Sequence, residues 1–267
     1  MRGVRKEIWA DEGGDAFIER ERESWTDTRS RTSSASADVI LRKLRSLANP
    51  CNVEGMARFG ISPRNTLGIS VNSLRRIAKQ IGRDHPLAQQ LWKSGVHEAR
   101  ILAVLLDDPF LVTEQQMERW AKDIDSWDVC DACSCHLFDK TPFAYRKAME
   151  WSRRKEEFVK RAAFAMMAAL AVHDKQAADP KFLKFLPLIQ RQSTDERNFV
   201  KKAVNWALRQ IGKRNVALNK AAIKTAQEIH KVDSPSARWI AADVLRELNC
   251  EDVQRRLQKK SRERRSG

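Results

Sequence analysis

The helical spacing of apolar residues is the feature that most constrains the fold of this chain. From about Ala37 onward, apolar side chains recur three or four residues apart, as in Leu41, Leu44 and Ala48. Residues at this spacing lie on one face of an α-helix, and no stretch shows the sustained alternation that is typical of a β-strand. The sequence therefore predicts an all-α fold of roughly eleven or twelve helices.

The predicted helices form pairs that recur about every forty residues, the period of HEAT-type repeats. Such pairs stack into an α-solenoid whose concave face binds an extended partner. Internal sequence identity between the pairs is weak, so this prediction depends on the period alone, and a globular helix bundle is the alternative. We predict a curved solenoid of HEAT-like antiparallel helix pairs, with a basic concave face, over residues 37–260.

The two ends of the chain have a different composition. Residues 1–36 mix scattered apolar side chains with charges and a Ser/Thr/Arg-rich stretch, which predicts a flexible N-terminal extension. Residues 261–267 predict a basic disordered tail. The first residues lack the apolar run of a signal peptide, and the longest apolar stretch, Ala162 to Val172, is too short to span a bilayer. We therefore predict no membrane association and a cytoplasmic location.

The charge balance indicates a polyanionic partner. The chain has 50 basic and 35 acidic residues, a net charge of +15. Nucleic acid is the simplest partner for such an excess, and a solubilising surface charge is the alternative. Residues 100–131 reverse the sign, with eight acidic and three basic residues. Because an acidic patch repels phosphate, this stretch needs an explanation, and a cluster of catalytic carboxylates is one.

Three of the five cysteines lie close together with a histidine, which raises the question of a metal site. These residues are Cys130, Cys133, Cys135 and His136. On a regular helix Cys135 is nearly opposite Cys130, so the four side chains cannot converge on one ion. We predict small buried thiols in a reducing compartment, no metal and, since no glycine-rich phosphate loop is present, no cofactor.

Trp127 and Asp131 are the strongest candidates for chemistry. Four residues apart, they share one face of a helix. An aromatic ring and a carboxylate side by side stabilise positive charge. The alternative for Asp131 is a solvated carboxylate in the first turn of its helix.

The remaining tryptophans divide into two groups. Trp206 lies among Lys202 and Arg209, which predicts a half-exposed, basic helix face. Large aromatic residues on apolar stripes usually belong to the core. We predict core positions for four others: Trp92, Trp120, Trp151 and Trp239.

Four short motifs, in this order, carry a family resemblance. They are Met56-Ala57-Arg58-Phe59 with Leu67-Gly68-Ile69, Ser126-Trp127-Asp128-Val129-Cys130-Asp131, Phe158-Val159-Lys160-Arg161-Ala162-Ala163, and Ala203-Val204-Asn205-Trp206-Ala207-Leu208-Arg209. With them, the chain from about Ala37 to Leu257 resembles the AlkD-type DNA alkylation repair glycosylases, which are built from HEAT-like repeats.

The resemblance implies excision of cationic alkylpurines, such as 3-methyladenine and 7-methylguanine, from duplex DNA with the base still stacked. It implies that Asp131 is the catalytic carboxylate and that Trp127 and Trp206 pack on the backbone at the lesion. It also implies that Arg161 holds a phosphate. Phe59 stands where the family often has Tyr, so the aromatic face is kept and a hydroxyl is lost.

We therefore predict an alkylpurine DNA glycosylase that acts as a monomer on double-stranded DNA. A cationic purine is already a good leaving group, so one carboxylate suffices where ordinary glycoside hydrolysis needs two. The predicted catalytic residues are Asp131, Trp127 and Trp206, and the predicted DNA-binding residues are Arg161, Phe59, Arg209, Lys202 and Lys213. The alternatives are a non-catalytic helical-repeat protein that binds duplex or branched DNA, and a protein-binding scaffold.

Overall fold

The structure, a computed structural model, describes residues 36–266, and all regular secondary structure in that range is helical. The prediction of an all-α fold is confirmed for this part of the chain. A π-helical turn (Cys133–Leu137) and a 3-10 turn (Phe138–Lys140) follow directly after α7. Fifteen α-helices are described: α1 (Ala37–Ser46), α2 (Pro50–Ala57), α3 (Val71–Ile81), α4 (His85–Lys93), α5 (His97–Leu106), α6 (Glu114–Asp123), α7 (Trp127–Ala132), α8 (Ala144–Trp151), α9 (Glu157–His173), α10 (Asp179–Leu183), α11 (Leu186–Gln192), α12 (Asn198–Gly212), α13 (Val216–His230), α14 (Pro235–Leu248) and α15 (Glu251–Ser266).

Helix starts follow local side-chain chemistry. The side chains of Ser70, Asp84 and Ser234 each accept a hydrogen bond from a backbone N–H in the first turn of α3, α4 and α14. More α-helices are present than the apolar pattern indicated. Residues 179–192, for example, form two short helices, α10 and α11. Pro187 lies in the first turn of α11, a position that tolerates its missing N–H, and it could not continue a helix from α10.

The ends of the described range test the predicted boundaries only in part. Residues 1–35 of the predicted extension lie outside the described residues, and Ser36 caps α1. At the other end α15 continues to Ser266, so the backbone of residues 261–266 is helical where a disordered tail was predicted. Lys, Arg and Glu favour helix, and Glu251 with Asp252 complements the helix dipole in its first turn. Within residues 36–266, no helix is both long and apolar enough to cross a bilayer.

A row of adjacent helices carries the residues of interest. α7 packs against α9, α9 against α12, and α12 against α14. α9 lies at the centre, with residues 159–171 all buried. A helix that is apolar on all sides requires neighbours on all sides, and this fixes the polar residues near its N-terminus relative to α7 and α12.

The loop between α2 and α3, which carries Phe59, is held by a buried carboxylate. Glu98 accepts hydrogen bonds from the backbone N–H groups of Leu67 at 2.8 Å, Gly68 at 2.7 Å and Ile69 at 3.2 Å. A side chain at Gly68 would place its Cβ only 2.1 Å from a backbone oxygen, so this close approach requires glycine. Glu98 therefore fixes one wall of the region described below.

Replacing Glu98 with Gln is expected to lower the free energy of unfolding by about 1–3 kcal/mol. The variant keeps one acceptor oxygen but turns an NH2 group toward backbone N–H donors. The measurement is urea unfolding, with Glu228→Gln as the matched control. The Glu228 side chain is 44 % exposed, and this substitution should change stability by less than about 0.5 kcal/mol. Equal effects of the two substitutions would contradict the role given to Glu98.

Candidate active site

The carboxylate of Asp131 on α7 meets the guanidinium of Arg161 near the N-terminal end of α9. Arg161 donates from Nε to Asp131 Oδ1 at 3.0 Å and from Nη2 to Asp131 Oδ2 at 2.7 Å. Its Nη1 donates to the backbone oxygen of Phe199 on α12 at 2.7 Å. The Asp131 side chain remains 20 % exposed, whereas that of Arg161 is 7 % exposed. A buried cation therefore orients a carboxylate that reaches the surface.

Trp127 completes this group. Its Nε1 donates to the backbone oxygen of Phe59 at 3.1 Å, and the Arg161 guanidinium carbon lies 5.9 Å from its ring centroid. The structure thus brings together three residues that the sequence singled out, Trp127, Asp131 and Arg161. Phe59 itself is 45 % exposed, so its ring lies at the surface on the loop between α2 and α3.

Two phenylalanines form the adjoining wall. The rings of Phe158 on α9 and Phe199 on α12 have centroids 5.7 Å apart. A Cβ at Gly60 would come within 2.8 Å of Phe199, so the loop after Phe59 passes directly over that ring. Phe199 was not among the predicted site residues. The sequence feature that could have identified it is its position. Phe199 is the second residue of α12, and Phe158 is the second residue of α9.

Trp206 lies on α12, seven residues after Phe199. This spacing is two helical turns and places both residues on one helix face. With the Gln210 amide oriented by its hydrogen-bond partners, its oxygen accepts from Trp206 Nε1 at 3.2 Å and from Lys213 Nζ at 3.3 Å. Trp206 is partly buried, as predicted for a half-exposed face. Its place against DNA at the lesion stays a prediction.

The predicted DNA-binding cations differ in their surroundings. Arg209 pairs with Glu247, and Lys213 Nζ lies 3.0 Å from Glu247 Oε1. Lys202 is exposed. Arg161, for which a phosphate contact was predicted, instead directs its guanidinium at Asp131 and Phe199. Sequence reasoning missed these pairs because the acidic partners are about thirty or more residues away along the chain. Contact of these residues with DNA stays a prediction.

The acidic side chains of residues 100–131 do not come together in one cluster. They pair with residues that are mostly on neighbouring helices, and Glu114 and Glu118 share Lys147. The pairs are Asp107 with His85, Asp108 with Arg83, Glu114 with Arg146, Glu118 with Lys147, Asp123 with Trp92, Asp125 with Arg100, Asp128 with His97, and Asp131 with Arg161. The acidic stretch therefore joins helices together, and Asp131 is its member at the site.

The three clustered cysteines are free thiols buried in the core, as predicted. Burial raises the pKa of Cys130, Cys133 and Cys135, so all three remain protonated at neutral pH. The positions of the four side chains were predicted from regular α-helical geometry, whereas Cys133–Leu137 forms a π-helical turn. Within residues 36–266, no group of three acidic, His or Cys side chains is arranged to hold a metal ion.

The electrostatics of Asp131 combine two opposing effects. Burial raises its pKa, the charge and hydrogen bonds of Arg161 lower it, and the net pKa lies above the ordinary value. The pKa of Arg161 is also raised, chiefly by Asp131 against the effect of burial, so the guanidinium stays charged. A poorly hydrated carboxylate interacts strongly with positive charge that develops beside it.

His97 and Asp128 form a buried pair that the sequence did not reveal. His97 Nε2 lies 2.8 Å from Asp128 Oδ2, and Asp128 Oδ1 accepts from Ser126 Oγ at 2.7 Å and from the Val129 N–H at 3.0 Å. The backbone N–H of His97 donates to the oxygen of Asn65 at 2.9 Å. Asp128 is thus engaged in fixing the start of α7 next to the loop, and Asp131 is the carboxylate left to face the surface.

The stability of the fold is expected to depend on this pair. Burial lowers the pKa of His97, but the hydrogen bond and charge of Asp128 outweigh it, so the net pKa lies above 6.5. A histidine whose folded pKa exceeds its unfolded pKa stabilises the fold below the unfolded pKa, and this contribution is lost as pH rises through the folded pKa. The free energy of unfolding should therefore fall as pH is raised from about 6 to 8.

Urea unfolding at both pH values tests this expectation. In His97→Gln the fall with pH should be smaller than in the wild type. His230→Gln replaces an exposed histidine and should keep the wild-type pH dependence. An unchanged slope in His97→Gln would contradict the assignment of a charged His97–Asp128 pair.

The helical architecture and this constellation define a helical-repeat protein with a carboxylate, an indole and a buried arginine at the ends of adjacent helices. The sequence model of the family described as DNA alkylation repair enzyme matches residues 40–260. The chain belongs to this family.

A solved structure supports the fold. This structure, described as belonging to a new family of proteins related to the HEAT-like repeat DNA glycosylases with affinity for branched DNA structures, superimposes with a TM-score of 0.67 at 18 % identity. The match covers 79 % of this chain and 95 % of that one, and it confirms the HEAT-like repeat fold. A designed armadillo repeat protein in complex with a (KR)4 peptide gives a TM-score of 0.34 at 15 % identity over 70 % of this chain and 89 % of that one, too low to support an argument. A search of curated proteins finds no match.

Proposed function

We propose that this protein is a DNA glycosylase that hydrolyses the N-glycosidic bond of cationic alkylated purines, such as 3-methyladenine and 7-methylguanine, in duplex DNA. The observation that carries the proposal is the group formed by Asp131, Arg161 and Trp127. It combines a carboxylate that reaches the surface, a buried cation that orients it, and an aromatic ring that faces the cation and lies one helical turn from the carboxylate. Membership of a DNA alkylation repair family supports a lesion in DNA as the substrate.

The proposed chemistry needs no acid to protonate the leaving group. The bond between C1′ and the purine nitrogen breaks, and its electron pair neutralises the cationic base as it leaves. Positive charge develops on the deoxyribose, where the Asp131 carboxylate and the electron-rich faces of Trp127 and Trp206 would stabilise it. Water then adds to C1′ and releases its proton, which leaves an abasic site. Because charge is recognised rather than base edges, the base can remain stacked.

Duplex binding would come from the basic excess of the chain. Sequence-independent contacts with phosphates position DNA without reading its bases and give strongly salt-dependent affinity. Phe59, Arg161, Lys202, Arg209 and Lys213 remain the proposed contacts. Arg209 and Lys213 both pair with Glu247. The basic concave face, the monomeric state and the cytoplasmic location likewise remain predictions.

A non-catalytic DNA-binding protein is the second candidate. The observation in its favour is the bidentate pairing of Asp131 with Arg161, which occupies both carboxylate oxygens. The similar structure with affinity for branched DNA makes this class concrete. Each carboxylate oxygen can accept more than one hydrogen bond, so the pairing is also compatible with the enzyme.

Release of methylated bases separates the two candidates. Wild-type protein is incubated with methylated duplex DNA, and the free bases are separated by chromatography. The glycosylase should release 3-methyladenine or 7-methylguanine and leave alkali-labile abasic sites. A folded protein that binds duplex and branched DNA but releases neither base would favour the second candidate.

A further inference from the structure

Four adjacent helices place their fifth residues in the same register. The fifth residues of α7, α9, α12 and α14 are Asp131, Arg161, Lys202 and Trp239. Contacts between neighbouring helices lie at this register or one residue from it, since Lys201 is the fourth residue of α12. Arg161 binds Asp131 across α7 and α9, and Lys201 faces Trp239 across α12 and α14. In a stack of helical repeats, equivalent positions line one continuous strip, so Trp239 continues the strip that begins at the candidate active site.

Trp239 is exposed, which contradicts the predicted core position. Its side chain is 43 % exposed, whereas the neighbouring Ile240 and Val244 are fully buried. The apolar stripe of α14 passes through Ile240 and Val244, and Trp239 lies to one side of it. The Lys201 ammonium nitrogen is 5.7 Å from the Trp239 ring centroid. The pair therefore presents an indole and a cation together at the surface.

Charge distinguishes the N-terminal part of α12, where Lys201 lies, from the C-terminal part, where Arg209 lies. Positions 239, 243 and 247 are four residues apart and form one stripe of α14 that faces α12. Asp243 accepts a hydrogen bond from Asn205 at 3.0 Å, and Glu247 pairs with Arg209 and Lys213. The remaining position of the stripe, 239, is occupied by a tryptophan instead of a carboxylate. Positive charge is therefore neutralised near Arg209 and retained near Lys201.

We infer that Lys201 and Trp239 bind the phosphodiester backbone of DNA that flanks the lesion. The lysine would pair with a phosphate, and the indole would pack on the adjoining deoxyribose. This inference rests on the proposed binding of duplex DNA but not on catalysis. Neighbouring helices pack about 8–10 Å apart, so two or three helix steps from the candidate site place this contact roughly 16–30 Å away, or about five to nine nucleotides along a strand.

Substitutions at the pair test the inference by fluorescence anisotropy with undamaged duplex DNA. Trp239→Ala should weaken binding about five- to tenfold, and Trp239→Phe should restore part of the loss. Lys201→Ala should reduce the slope of log K against log salt by about 0.9. The control is Phe110→Ala, which removes an aromatic side chain that is 90 % exposed on the loop after α5 and should leave affinity unchanged.

The outcomes are distinguishable from failure of the glycosylase. If base release fails but Trp239→Ala weakens duplex binding while Phe110→Ala does not, the inference stands and only the catalytic proposal fails. Wild-type affinity in Trp239→Ala, or an unchanged salt slope in Lys201→Ala, would overturn it. Weakened binding of branched or single-stranded DNA alone would overturn it too, because it would indicate stacking on unpaired bases rather than contact with a duplex backbone.

Discussion

Replacing Asp131 with Asn is expected to slow base release about 100- to 1,000-fold, the usual loss when one preorganised electrostatic group is removed from an active site. The amide nearly preserves the shape of the side chain but cannot neutralise positive charge on the deoxyribose. Duplex binding should survive, because the phosphate contacts proposed above lie elsewhere. The measurement is single-turnover base release, with affinity determined in parallel.

A matched control separates chemistry from stability in this comparison. Asp131→Asn deprives Arg161 of its ionic partner but keeps a hydrogen-bond acceptor for its guanidinium, so we expect a cost of roughly 1–3 kcal/mol. Release is therefore measured well below the thermal midpoint of the variant. Asp125→Asn makes the same change at a side chain that is 56 % exposed and should behave as wild type. Full activity of a folded Asp131→Asn variant would remove Asp131 from the mechanism.

Replacing Arg161 with Ala should produce the largest loss of stability, about 3–5 kcal/mol, because it leaves a largely desolvated carboxylate without its cation. The variant also loses the hydrogen bond from Nη1 to Phe199, which joins α9 to α12. Urea unfolding measures the loss. Arg191→Ala, at an exposed arginine on α11, is the control and should change stability by less than about 0.5 kcal/mol.

The same substitution makes a prediction for activity against pH. Arg161 opposes the effect of burial on the pKa of Asp131, so its removal should raise that pKa further. Because the ionised carboxylate is the proposed active form, the acid limb of the pH–rate profile should move to higher pH. Arg161→Lys keeps the positive charge but loses the bidentate geometry. Its acid limb should therefore lie between those of the wild type and Arg161→Ala. An acid limb at the wild-type position in Arg161→Ala would contradict the coupling.

Local patterns predicted much of this protein. The all-α fold followed from apolar periodicity, and Ser70, Asp84 and Ser234, which cap α3, α4 and α14, are residue types that favour this position. The neighbouring positions of Trp127 and Asp131 needed only the pitch of a helix. These features depend on residues within a few positions of each other, which is the range over which a single sequence is informative.

The misjudged features all depend on contacts between helices. The pairing of Arg161 with Asp131 was not predicted, and a phosphate contact of Arg161 stays a prediction. Trp239 was assigned to the core because a large apolar residue beside an apolar stripe usually packs there. The acidic stretch looked like one site because the partners of its eight carboxylates are scattered along the chain. Sequence order alone cannot show which residues of neighbouring helices will meet.

The most direct test of the central claim is whether base release depends on the charge of the lesion. Wild-type protein is given matched duplexes that carry either 7-methylguanine, a cationic purine, or hypoxanthine, a neutral one, and the released bases are measured by chromatography. We predict release of 7-methylguanine and retention of hypoxanthine, because the site stabilises charge rather than protonating the leaving base. Equal release of both bases, or no release by a folded protein that binds the duplexes, would contradict the account.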